Sequence, residues 1–166
     1  PSLASSAAHD GRDDFDFFIG SWTTHHKRLR ERLRGSTEWY EFSGTVVCRK
    51  LLGGLGNLDE AVLEMPTGQV LGLTLRTFNP NSQQWNIYWV ADSAIASGPL
   101  DPMVGRFTNG RGEFYAHEPH LGTYIISRFI WTSLSPDACH WEQAFSADGG
   151  ATWETNWIMD HTRTAY

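Results

Sequence analysis

Short apolar runs punctuated by turn residues recur about every 10 to 15 positions along this chain, and long helical periodicity is almost absent. The runs read as strands at 19–30, 37–51, 57–65, 69–78, 84–91, 103–109, 112–118, 122–133, 138–146 and 152–163. Between them lie "RGS" at 34–36, "GGLGN" at 53–57, "PTG" at 66–68, "NPNSQ" at 79–83, "NGRG" at 109–112, "EPHLG" at 118–122 and "SPD" at 135–137. The longest irregular piece is "ASGPLDP" at 96–102, and no connection has room for a crossover helix. An all-β antiparallel, up-and-down barrel of about ten strands follows, because closure removes exposed strand edges. A β-sandwich is the alternative.

The last turn is the most specific. "SADGGATW" at 146–153 has the Ser-x-Asp-x-Gly-x-Thr-Trp pattern that sialidases and related propellers carry once per blade. A blade takes roughly 40–50 residues. The chain has one copy in 166 residues, which excludes a propeller. What remains is a hairpin, with Asp148 accepting from turn amides and Gly149 and Gly150 supplying positive φ.

The length suits one domain with a real core, residues 15–166, preceded by a disordered leader at 1–14. A net charge of −6 argues against nucleic-acid binding, and no run is long enough to span a membrane. The leader has no cationic head followed by an apolar run, so it is not a secretory signal. Cys48 and Cys139 read as two separate buried thiols of a reducing, cytoplasmic setting rather than a disulfide. Eight tryptophans and nine phenylalanines exceed what such a core needs and suggest a ring-lined cavity or large cross-strand pairs.

"FDFFIGSW" at 15–22 places Gly20-x-Trp22 at the head of the first strand. That is similar to the start of lipocalin and calycin barrels, where the tryptophan closes one end. With "GLGNLDE", "LRTFNPNSQQWNIYW", "SRFIW" and "EQAFSADGGATWETNW", the chain resembles bacterial lipocalin-like proteins of unknown function from Phe15 to Arg163. The resemblance implies a calycin-type barrel with an internal cavity and assigns no activity.

Polar groups facing such a cavity would carry the chemistry. Alternation leaves the faces open on several strands. Tyr124, Ile126, Arg128 and Ile130 oppose Ile125, Ser127, Phe129 and Trp131, and both sets are largely apolar. The same holds where Leu71, Leu73 and Leu75 oppose Gly72, Thr74 and Arg76, and where Trp85, Ile87 and Trp89 oppose Asn86 and Tyr88. Two-faced apolarity suggests a covered outer wall, hence a homodimer. Arg76 and Arg128, if inward, make a cationic floor for a carboxylate; if outward, they pair with Glu142 and Asp160. Tyr88, Gln143 and Asn156 add neutral hydrogen bonds, and Trp22 and Trp89 add rings.

Counting back from Leu33 and Leu29 selects His25 as the inward histidine; counting by twos from an inward Trp22 selects His26, which is preferred as a candidate general acid–base or a structural group. That count also drives Arg28, Arg30 and Arg32 inside, so the strand needs a bulge or leaves the barrel before Arg30. A basic helix over "HHKRLRERLR" at 25–34 is disfavoured by the β-rich flanks. "HEPH" at 117–120 reads as a turn without a third ligand, so no metal is expected, and haem ligation by His25 or His26 is equally weak. "GLGN" lacks the strand–helix unit of a phosphate loop, and Glu60 reads as a surface acid.

Three functions compete: a barrel binding a hydrophobic small molecule with a polar or anionic end, a cofactor-free isomerase, cyclase or dehydratase, and an interaction domain filled solid. The first is preferred. Trp22, Arg76, Trp89, Gln143 and Asn156 are its expected binding residues, and His26, Tyr88 and Arg128 would be the catalytic groups of the second. No cofactor is expected.

Overall fold

All ten runs form strands in the computed structural model, which describes residues 8–166. They are β1 (Gly20–Leu29), β2 (Trp39–Leu51), β3 (Gly56–Met65), β4 (Gly68–Asn79), β5 (Gln84–Ala91), β6 (Met103–Thr108), β7 (Arg111–His120), β8 (Thr123–Ser135), β9 (Ala138–Ser146) and β10 (Glu154–Ala165). Each pairs antiparallel with its neighbours in sequence, and β1 pairs with β10 to close the barrel. Among the described residues, no helix is long and apolar enough to cross a membrane.

The 146–153 hairpin is held as its sequence implies. Asp148 accepts from the Thr152 amide and the Ser146 hydroxyl, each at 2.8 Å, while Ser146 Oγ accepts from Gly150 N at 2.8 Å. Gly149 and Gly150 take φ of 71° and 94°. These bonds hold the Asp148 carboxyl down at about 2, with those from Thr152 contributing most.

Burial alternates along β1 from Trp22 to Lys27 and along most of β4, and fixes their faces, while the cavity lining fixes those of β8. On β1, Trp22, Thr24 and His26 are buried while Thr23, His25 and Lys27 are exposed. On β8, Ser127 and Trp131 turn inward with Phe129, so Arg128 faces out. The basic run at 25–34 is strand only as far as Leu29, and the chain then bends, so Arg30 and Arg32 lie beyond β1. The β1–β10 register shifts only between Ser21 and Trp22, so the two-residue count from Trp22, through Thr24 and His26 to Arg28, runs without a bulge.

A cap of aromatic rings closes one end. A single turn of 3-10 helix at Asp16–Phe18 tucks Phe15 and Phe18 under the barrel. Phe15 meets Trp85 edge-on at 5.0 Å, and Phe18 stacks on Trp22 at 5.6 Å. The indole N–H groups are satisfied by the incoming segment: Trp22 donates to the Phe18 carbonyl at 2.9 Å, and Trp85 to the Gly11 carbonyl at 3.0 Å. Arg163 from β10 lies 4.2 Å above the Trp22 ring and donates to the Phe17 carbonyl at 2.7 Å and to the Ile19 carbonyl. Gly11, within the stretch read as a leader, therefore contacts the barrel, while residues 1–7 of that reading lie outside the described residues.

Candidate functional site

Above the aromatic cap the barrel is hollow. The inner compartment offers about 100 Å³ to the centres of water-sized molecules, and a wider vestibule at the open end offers about 450 Å³. Ile87, Trp89, Phe129, Gln143 and Trp157 border both, so the two form one tapering space. Four of the eight tryptophans wall the inner part: Trp89, Trp131, Trp141 and Trp157. Trp22 and Trp85 belong to the core below. The surplus of rings is thus divided between sealing one end and lining a cavity.

Arg76 points inward from β4, but it is no free cation. Its Nη1 lies 2.7 Å from Asp59 Oδ2 on β3 and donates to Asn57 Oδ1 at 2.8 Å, with both members of the ion pair almost wholly buried. The expected cationic floor is therefore neutralised. Burial pushes the Asp59 carboxyl up, against the downward pull of Arg76 and Thr74. The guanidinium also sits over the rings of Phe18, Phe15 and Trp131 at 5.1, 5.2 and 5.3 Å, which joins it to the cap. The surface acids expected to pair with Arg76 or Arg128 instead hold His140, at 2.7 Å to Asp160 and 3.2 Å to Glu142.

His26 is fully buried and borders the inner compartment. Its Nδ1 accepts from the Trp157 indole at 3.1 Å, and Nε2 meets Thr24 Oγ1 at 2.8 Å. An indole nitrogen only donates, so Nδ1 carries the lone pair and Nε2 the proton. The ring stacks on Phe42 with 4.4 Å between centroids. Gly44 gives this arrangement room, since a Cβ there would lie 2.8 Å from Thr24 Oγ1. Burial, then the charges of His161, His25 and Arg28, press the imidazole down to about 3. With both nitrogens engaged and the basicity suppressed, His26 orients the cavity wall and is poorly suited to proton transfer. His25 faces outward toward Glu41 at 3.2 Å.

Other expected site residues fall elsewhere. Tyr88 and Arg128 are on the outer wall: Tyr88 pairs across from Leu75, and Arg128 lies 4.2 Å above the Trp153 ring. Both sit on the alternate face from the cavity-lining Ile87, Trp89, Phe129 and Trp131. Trp22 is beneath the cavity rather than along it. Trp89 does line the space, at the mouth, with its ring over Gly72, where a Cβ would lie 2.7 Å from Cζ3. Gln143 borders both compartments and donates to Asn156 Oδ1 at 2.9 Å. A register shift between Thr155 and Trp157 puts fully buried Asn156 behind Gln143, where it positions that side chain.

Sequence reasoning passed over Asp59 in favour of the exposed Glu60, and passed over His161 entirely. Counting by twos back from Leu63 and Ala61 reaches Asp59 and Asn57, so the signal was present. His161 borders the inner compartment, and burial is the main reason its imidazole is held near 4. Its Nδ1, Arg76 Nε and Trp131 Nε1 are buried without hydrogen-bond partners among the described residues. "HEPH" is the end of β7 rather than a loop, and alternation turns His117 away from Glu118 and His120. Among the described residues, no three His, Cys, Asp or Glu side chains are grouped to hold a metal ion.

No family model matches the chain, and no curated protein matches it. Twelve chains of solved structures are similar to it, among them the following two. One is described as EF1p2_mFAP2b bound to DFHBI, at 12% identity and a TM-score of 0.49, covering 92% of this chain and 98% of that one. The other is the S-type phycobiliprotein lyase CPES from Guillardia theta, at 9% identity and a TM-score of 0.59, covering 90% of each chain. The likeness to the lyase extends over nine-tenths of both chains and is one of fold.

Proposed function

We propose that this lipocalin-like barrel binds a hydrophobic small molecule, with an aromatic or conjugated body held among the inner tryptophans and a polar or anionic end. The observation that carries this reading is the tapering cavity, sealed at one end by Phe15, Phe18 and Trp22 and walled by Trp89, Trp131, Trp141 and Trp157. A mostly apolar, pre-formed cleft with few polar groups is the usual form of a small-molecule site. The hollow upper half speaks against a barrel filled solid. The fold shared with a phycobiliprotein lyase agrees with the reading at the level of fold analogy.

Binding is favoured over catalysis by the same geometry. His26 spends both ring nitrogens on Thr24 and Trp157, while Tyr88 and Arg128 lie outside the cavity.

Native mass spectrometry of freshly purified protein, followed by denaturing extraction, is the direct test. A bound mass that is released on denaturation identifies the ligand class. Titration with the neutral fluorophore N-phenyl-1-naphthylamine tests the cavity itself. A bare mass together with no fluorescence enhancement by that probe sinks the binding reading. The same spectrum reports whether the outer wall, where Val47, Leu71 and Leu73 are exposed, supports a homodimer.

A further inference from the structure

We propose that Arg28 and Arg32 form an anion clamp at the barrel mouth, so that an aromatic organic acid enters ring first and leaves its carboxylate or sulfonate in the vestibule. The inference rests on the binding reading and adds where the charged end sits.

Both arginines border the vestibule. Arg28 is the next inward position on β1 after Thr24 and His26, and its guanidinium lies 4.5 Å above the Trp157 ring. Trp157 borders both compartments, so this cation stands at the boundary between the apolar interior and the vestibule. Its side-chain hydrogen bonding is slight: Nη1 reaches the Tyr40 hydroxyl at 3.4 Å, and the buried Nε has no partner among the described residues. Arg32 follows just beyond the strand. Among the described residues, neither arginine has a carboxylate within ion-pair distance, whereas Arg30 between them is paired outside with Glu38.

Three arginines elsewhere on the barrel are already engaged. Arg76 is committed to Asp59, Arg128 lies outside over Trp153, and Arg163 is spent on the cap. Acidic groups also face the mouth. Glu118 and Asp101 border the vestibule, and Glu154 engages the Leu33 amide at 2.8 Å. Burial pushes the Glu118 carboxyl up. Burial and the neighbouring Arg28 hold Arg32 below its ordinary value, as expected for two cations with little compensation, although Glu154 partly offsets this. A guanidinium pair of this kind matches the planar, multidentate demands of a carboxylate or sulfonate.

The experiment compares two probes with the same ring system: anionic 1-anilinonaphthalene-8-sulfonate and neutral N-phenyl-1-naphthylamine, each titrated by fluorescence. The clamp requires the sulfonate to bind about ten-fold tighter in low salt. Arg28→Met and Arg32→Gln should each bring the two affinities closer together by weakening the sulfonate more than the neutral probe. Arg32 lies at a bend outside the strands, so its variant keeps the test valid if Arg28→Met fails to fold. Equal affinity for both probes, or a preference for the sulfonate that survives both substitutions, overturns the clamp while the cavity reading stands. Failure of the neutral probe to bind overturns the cavity reading and the clamp with it.

Discussion

Acid should destabilise this barrel partly through His26, and the size of that contribution follows from its surroundings. The folded protein holds the imidazole at about 3 instead of 6.5, mainly by burial. Protonating Nδ1 would also set two donors, the new N–H and the Trp157 indole, against each other. The sign follows from linkage: the unfolded chain takes up the proton first, so stability is complete above pH 6.5 and falls as pH drops toward 3. Each pH unit inside that window costs about 1.4 kcal/mol. Between pH 7.5 and 5 the loss from this one residue is about 2 kcal/mol. That is a sizeable part of a domain stability of about 5–15 kcal/mol.

Other groups respond too. His161 acts in the same direction, while raised Asp59 and Glu118 act against it. They are present in both wild type and His26→Gln, so the difference between the two pH profiles reports His26 together with its coupling to His161. Urea unfolding followed by tryptophan fluorescence at each pH should show the two curves converging by about 1 M in midpoint between pH 7.5 and 5, for an m-value of ~2 kcal/mol/M. Parallel profiles would refute the claim that His26 is held neutral by its burial and its bond from Trp157.

Removing one member of the buried ion pair, as in Arg76→Met, should cost about 3–5 kcal/mol because Asp59 is left uncompensated, and pairing it with Asp59→Leu should restore much of the loss. Chemical denaturation of the two single variants and the double variant checks this. Burial pushes the Cys48 and Cys139 thiols up to about 12, so iodoacetamide should label neither in the native protein at pH 8 and both in urea, as read by intact mass. Asp148→Ala should lower the melting temperature without changing the affinity of the folded fraction for N-phenyl-1-naphthylamine. Weakened binding at an unchanged melting temperature would contradict a purely structural hairpin.

The strands and their order were legible because turn residues mark nearly every boundary and each connection is too short for anything but an antiparallel neighbour. The lining of the cavity was less legible, for a physical reason visible on β8. Ile126 and Ile130 on its outer face are as apolar as Phe129 and Trp131 on its inner face, and outward Arg128 is covered by Trp153. Polarity therefore does not separate the faces there. On β1 the counts from Trp22 and from Leu29 disagree, because Leu29 is buried out of step with Trp22, Thr24 and His26. An inward Arg28 is too costly only in a closed interior. At an open mouth, with its stem along the wall and its head over Trp157, that cost largely disappears. The Asp59–Arg76 pair joins residues 17 positions apart on neighbouring strands, and only the β3–β4 register brings them together.

The seam between β1 and β10 has a consequence for how the molecule is made. Trp22 lies across from Arg163, and the same Arg163 grips the carbonyls of Phe17 and Ile19. The seam and the cap thus depend on joining the two most distant parts of the described chain. Loop-closure entropy makes such a joining slow and places it late. Until it occurs, the ten strands form a curled sheet with β1 and β10 as bare edges and an open floor, and the cavity has no closed wall. A closed cavity is therefore a property that arrives with the last pairing, in a single step.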